Sequence, residues 1–143
     1  MKNVLCSVVA LLISMCMETI VHADILIIGN KGVPVNSISK EEIKNIFLGN
    51  KDKWESGEAI TFVNVSVENI HEEFTKNFVK KTPSQYISHF RKLVFTGKGQ
   101  IPKSFDSEKD LIKFVSETNG AIGYVSKEAG SNIDLIKIIE ITE

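Results

Sequence analysis

Apolar positions in this chain alternate between short β-branched runs and longer stripes of helical spacing. Asp24-Ile25-Leu26-Ile27-Ile28-Gly29 is an apolar run ended by glycine, too short for a helix. It reads as a strand buried on both faces, the kind found in parallel sheets. Gly32-Val33-Pro34 forces a loop, and Ser39-Lys40-Glu41-Glu42 has the form of a capping box. Ile43, Ile46 and Phe47 give the i, i+3, i+4 stripe of the next helix, which Gly49 closes. After Trp54 and a Glu55-Ser56-Gly57 turn, Ala59 to Val65 reads as a second strand. Ser66 or its neighbour should cap a helix carrying Ile70, Phe74, Phe78 and Val79 on one side.

Thr82-Pro83-Ser84-Gln85 starts a third helix, with Thr as N-cap, Pro at N1 and Gln at N3. Its apolar face uses Tyr86, Ile87, Phe90, Leu93 and Val94, and Thr96 to Pro102 is a loop. Ser107-Glu108-Lys109-Asp110 caps a fourth helix with Leu111, Ile112, Phe114 and Val115, stopped by a positive-φ turn at Asn119-Gly120. Ala121 to Val125 is then a buried strand in which Gly123 lets a neighbour approach closely. Asn132 to Ile139 alternates as a final strand. No repeat, low-complexity stretch or linker interrupts this order. It predicts a single α/β domain whose mixed, mainly parallel sheet is flanked by helices.

Composition fits that picture. The 143 residues suffice for one domain with a core, and 43% apolar with 24% charged residues is ordinary for a globular protein. A net charge of −1 gives no electrostatic case for nucleic acid or an anionic membrane surface.

The N-terminal segment stands apart. Met1-Lys2-Asn3 is a positive start, Val4 to Met17 is almost wholly apolar, and Val21-His22-Ala23 offers small residues for a signal peptidase. Residues 1–23 read as a secretory signal peptide cleaved after Ala23, leaving 24–143 as an exported domain without membrane insertion. As an uncleaved anchor the run falls short of the roughly 20 residues that span a bilayer, and Glu18 breaks its apolar character. As a lipoprotein signal it has Met15 before Cys16, where a small residue is wanted. Cys6 and Cys16 both lie in this segment, so the exported part has no disulfide, thiol nucleophile or cysteine-held metal.

Most catalytic templates fail on the remaining residues. His71 and His89 sit on predicted helices without metal-ligand spacing and read as solvent-facing. No serine lies in a GxSxG elbow, and the carboxylates cluster at helix starts, where they complement the macrodipole. Gly97-Lys98-Gly99 lacks the frame of a phosphate loop, and Asn64-Val65-Ser66 is a glycosylation sequon by coincidence. The chain reads as a non-enzyme with no cofactor.

Ile46-Phe47-Leu48-Gly49, Trp54, Phe95-Thr96-Gly97-Lys98-Gly99 and Gly120-Ala121-Ile122-Gly123-Tyr124-Val125 stand in the order and spacing of one family. Over residues 24–126 the chain resembles phosphate-type periplasmic solute-binding proteins, and among them the short, single-lobe substrate-binding proteins of phosphate ABC transporters. The resemblance implies one lobe of a type 2 periplasmic binding fold, and thus half of a cleft. In two-lobed members, backbone N–H groups and hydroxyls at helix N-termini hold an oxyanion in that cleft.

Those members carry an Arg-x-Asp-Gly-Ser-Gly-Thr stretch where this chain has residues 64–70. Asn64 stands at the Arg position, Val67 and Asn69 replace the glycines, and Glu68 and Ile70 replace the hydroxyl residues. Glu68, Glu72 and Glu73 add negative charge there; two anions about 4 Å apart at an effective dielectric near 20 repel by roughly 4 kcal/mol. The expectation is a non-catalytic exported binding domain with a degenerate phosphate site. If a small oxyanion binds, Ser66, Asn69, Thr96, Gly97 and Gly99 are the expected donors, with Lys98 supplying charge or else only a solvated loop lysine. Ser37 to Ser39 is a further loop on that side. The alternative is a protein–protein module whose former cleft face docks on a permease, a sensor protein or its own copy, with Trp54, Phe95 and Ile101 as candidate anchors, Trp54 reading first as a core residue that packs the loop after the first helix.

Overall fold

A computed structural model describes residues 24–143; the expected signal peptide, with both cysteines, lies outside these. Among the described residues, no helix is long and apolar enough to cross a membrane. The chain forms β1 (Ile25–Gly29), β2 (Ser37–Ser39), α1 (Lys40–Phe47), β3 (Thr61–Phe62) and β4 (Asn64–Val65). Then come α2 (Glu68–Phe74), a π-helical turn (Thr75–Val79), α3 (Pro83–Phe95) and β5 (Ser104–Phe105). The last elements are α4 (Glu108–Glu117), β6 (Ala121–Ser126), α5 (Lys127–Gly130) and β7 (Lys137–Thr142).

Five strands make one mixed sheet in the order β2-β7-β1-β6-β3, and β4 and β5 pair separately. Central β1 runs antiparallel to both β6 and β7, while β2–β7, β3–β6 and β4–β5 are parallel. The parallel environment expected for β1 is therefore replaced by two antiparallel ladders. An apolar run reports that both faces are covered, not which way the neighbours point.

Both faces are indeed covered. On β6, Tyr124 stacks on Phe74 of α2 with centroids 3.7 Å apart, while a side chain at adjacent Gly123 would meet Leu111 of α4. Successive strand residues face opposite sides, so α2 and α4 flank the sheet, and all six residues of β6 are buried. Phe47 from α1 makes edge contacts with Phe74 and Tyr124, and Phe90 from α3 lies against Phe62. Gly123 has the close-approach role expected of it, with Leu111 Cδ2 only 3.0 Å from where its Cβ would lie.

The local helix signals are realised. Ser39, Thr82 and Ser107 accept from Glu42 N, Gln85 N and Asp110 N, and Thr82 with Gln85 forms a complete capping box. The helix after Ser66 has Val67, the second of the two expected positions, at its N-cap, without a side-chain cap bond. Residues 59–65 do not form one strand: β3 pairs with β6, while β4 leaves the sheet to pair with β5. The last strand is Lys137–Thr142 rather than 132–139, and the Ser37–Ser39 loop is edge strand β2.

Candidate functional site

β4 and β5 carry the chain from the buried sheet to an open groove. Asn64 N donates to Lys103 O and Ser66 N to Phe105 O, which sets Ser66 beside Ser104 with their hydroxyls 2.7 Å apart. A cavity of about 530 Å³ opens there, floored by Val65 and Pro83. Hydroxyls of Ser66, Thr82, Ser84 and Ser104 line it, as do the carboxylates of Glu68 and Glu72 and the ring of His71. Neither lysine nor arginine is among these lining residues. A second hollow of about 450 Å³ shares Glu72, Thr82 and Pro83 and is lined by Lys76, Lys80 and Lys81.

Beneath the groove lies a buried polar chain. The Tyr124 oxygen lies 3.3 Å from Asn64 Oδ1, and Asn64 Nδ2 donates to the Tyr86 hydroxyl at 3.3 Å. His71 Nδ1 lies 2.5 Å from the Tyr124 oxygen. The Tyr124 proton can go to Asn64 Oδ1 or to His71 Nδ1, and the His71 tautomer differs between the two arrangements. Burial lowers the His71 pKa from the ordinary 6.5, which favours the neutral ring. Desolvation, first, raises the Tyr86 and Tyr124 hydroxyls far above the phenolic range, so both stay protonated donors.

The expected site residues are only partly brought together. Ser66 lines the groove, while Asn69 is exposed on α2 and is not among the lining residues. Thr96, Gly97, Lys98 and Gly99 lie beyond the other end of α3, which at 1.5 Å per residue is roughly 20 Å long. There they form a helix C-cap. Thr96 Oγ1 donates to Lys92 O, Gly97 N to Val94 O and Lys98 N to Leu93 O, with Gly97 at φ +71. The donors expected of Thr96 and Gly97 are thus engaged within this helix end, whereas Ser66 lines the groove. Ser37–Ser39, now an edge strand, is likewise not part of the groove lining.

Other expectations are also corrected. Trp54 is the core residue of its two readings, not an anchor: it is 2% exposed and donates Nε1–H to Gly120 O at 3.1 Å. Phe95 and Ile101 are exposed, at 93% and 53%, but Phe95 lies at the end of α3 opposite the groove. Neither histidine faces solvent alone: His71 joins the buried chain and His89 Nε2 pairs with Leu48 O at 2.8 Å. The sequon asparagine, Asn64, is 4% exposed and out of reach of a glycan. Sequence reasoning missed His71, Tyr86, Tyr124 and Ser104 as one group. Their only shared signal, polar residues on otherwise apolar stripes, does not identify partners.

A curled mixed sheet flanked by helices, with a groove beside the β4–β5 pair, is the architecture of a periplasmic-binding lobe. A model of the PBP superfamily domain matches residues 14–134, and the chain belongs to that superfamily. Its structure is similar to that of PstS from Borrelia burgdorferi, at TM-score 0.64 and 18% identity over 85% of this chain and 48% of that one. It is also similar to an ABC-type phosphate transport receptor from Vibrio cholerae, at 0.57 and 14% over 83% and 46%. A possible phosphate binding protein from Planctomyces limnophilus DSM 3776 gives 0.62 and 14% over 85% and 42%. At such identities the likeness is one of fold: a type 2 periplasmic binding lobe. The chain spans less than half the length of each of these proteins, consistent with a single lobe. No curated protein matches it.

Proposed function

We propose that this protein is an exported, non-catalytic solute-binding lobe of phosphate-transport type whose groove has lost the means to hold phosphate tightly. The observation that carries this reading is the groove lining. Glu68 and Glu72 face it without an opposing lysine or arginine, and Asn64, at the position of the family's arginine, is turned into the buried Tyr86–Tyr124 chain. A phosphate entering there meets carboxylates instead of cations. Ile70, where the family has a hydroxyl residue, is buried in the core. Residues 1–23 serve as a signal peptide, so the exported protein begins at Asp24; an intact mass starting elsewhere overturns that part. A permease or sensor is the expected partner.

Calorimetry with inorganic phosphate tests the ligand reading. Millimolar phosphate should produce neither binding heat nor a rise in melting temperature. A micromolar Kd for phosphate would overturn it. A second reading, a docking module, is favoured by one observation: Phe95, Val94 and Ile101 are all exposed at the C-terminal end of α3 and in the loop beyond it. Val94 and Phe95 lie at the end of α3 opposite the groove, so the two readings are compatible.

A further inference from the structure

Taking the exposed end of α3 as a docking surface, the second reading above, we infer that it meets an anionic lipid bilayer. Charge is strongly segregated along this chain. Residues 74–105 hold seven lysines and arginines and no aspartate or glutamate, whereas the remainder has ten basic and eighteen acidic residues. The net charge of −1 averages over this and hides a locally positive surface. The last turn of α3, inside the basic stretch, brings cations and apolar side chains together. Arg91 and Phe95 are four residues apart and both exposed, hence neighbours on one face of the helix. Lys92 and Val94 are exposed beside them. The chain then folds back on the helix: Lys98 N donates to Leu93 O, and a Cβ on Gly99 would lie 3.2 Å from that of Leu93. Ile101, also exposed, follows two residues later, within about 7 Å of Gly99 along the backbone. Among the described residues, Arg91, Lys92 and Lys98 take part in no salt bridge.

This surface suits a bilayer better than a folded partner. A specific protein interface buries roughly 800 Å² on each side, of which Val94, Phe95 and Ile101 supply a small part. The headgroup region of a membrane needs less: a protruding aromatic ring that enters the acyl boundary, and cations within reach of lipid phosphates. Phe95, 93% exposed, is such a ring. Lysine and arginine suit the same boundary, because their stems follow apolar surface while their charges stay among the headgroups. The other cations of the stretch sit elsewhere. Lys76, Lys80 and Lys81 line the hollow beside the start of α3, and Lys103 Nζ lies 4.9 Å from the ring centre of Phe114. The end of α3 is therefore where unpaired charge and projecting apolar side chains coincide.

The test is co-sedimentation of the purified exported protein with vesicles of phosphatidylglycerol and phosphatidylcholine in equal parts, and with phosphatidylcholine alone. The anionic vesicles should carry the protein down and the neutral ones should not. Raising sodium chloride from about 0.05 to about 0.5 M should release it. Lys92→Gln combined with Lys98→Gln should weaken binding more than about tenfold. Phe95→Ser, which keeps every charge, should weaken it roughly fivefold. These side chains are exposed, so the variants should keep the parent circular dichroism spectrum. Phe95→Trp reports contact directly: its fluorescence should shift to the blue on anionic vesicles, over the constant signal of buried Trp54. No binding to anionic vesicles at low salt, or equal binding to neutral ones, overturns the inference. Binding untouched by the Lys92, Lys98 and Phe95 changes overturns its placing at the end of α3. If vesicles fail but the mass of the parent rises with concentration and that of Phe95→Asp does not, the partner is a second copy: the lipid inference falls and the docking reading stands. If both fail, the docking reading falls for lipid and for self-association alike.

Discussion

Asn64 illustrates how one side chain changes meaning between sequence and structure. In sequence it opens a sequon and fills an arginine position; in the fold its amide is enclosed by two tyrosines. His71 sits above it, packed against Tyr86 and Tyr124, with Glu68 and Glu72 nearby on its own helix. Burial lowers its folded-state pKa below 6.5, whereas the unfolded chain takes up the proton near the ordinary value. The unfolded state therefore binds more protons as the pH drops below about 6.5, and stability falls there until the folded-state pKa is passed. Melting temperature should be level from about pH 8 to 7 and decline as the pH falls below about 6.5. His71→Gln should flatten that decline; an unchanged slope means that other groups set it. The helix position of His71 was readable from the sequence. Its partners were not, because Tyr86 and Tyr124 lie on other elements, far along the chain.

The ends of the elements show where local reading succeeds. A cap is a bond within three or four residues, so Ser39, Thr82 and Ser107 could be assigned without tertiary knowledge. Strand boundaries failed because pairing is not local. Val63, fully buried, bonds through its N–H to Ile122 O, and beyond it the chain departs to pair with β5. Nothing in the apolar run marks that departure. The turn between α4 and β6 was legible as a glycine position, but its severity was not. Gly120 has φ +75, its carbonyl accepts from Trp54 Nε1 and Thr61 N, and an added Cβ would lie 2.2 Å from Ala59 O. Gly120→Ala combines left-handed strain with a clash against backbone and should cost roughly 3 kcal/mol or more. Urea denaturation measures this; a loss under about 1 kcal/mol would show that the turn can shift.

For the molecule as a whole, function turns on what meets its surfaces. Phe95 is almost wholly exposed on a chain that spans less than half of the proteins it resembles. If this patch docks on a second copy, light scattering should give a mass that rises with concentration, and Phe95→Asp should hold the protein monomeric. A monomer at every concentration rules out self-association through it. The sequence by itself determined the order of helices and strands, the helix caps and, through scattered glycines and Trp54, the family. These depend on neighbours in the chain or on residues that frame the lobe. Only the tertiary structure decided the antiparallel setting of β1, the burial of Asn64 and the placing of Ser66 and the Thr96–Gly99 loop at different ends of α3. Each is a matter of which distant segments share space, and a helix roughly 20 Å long can separate residues that one motif seemed to unite.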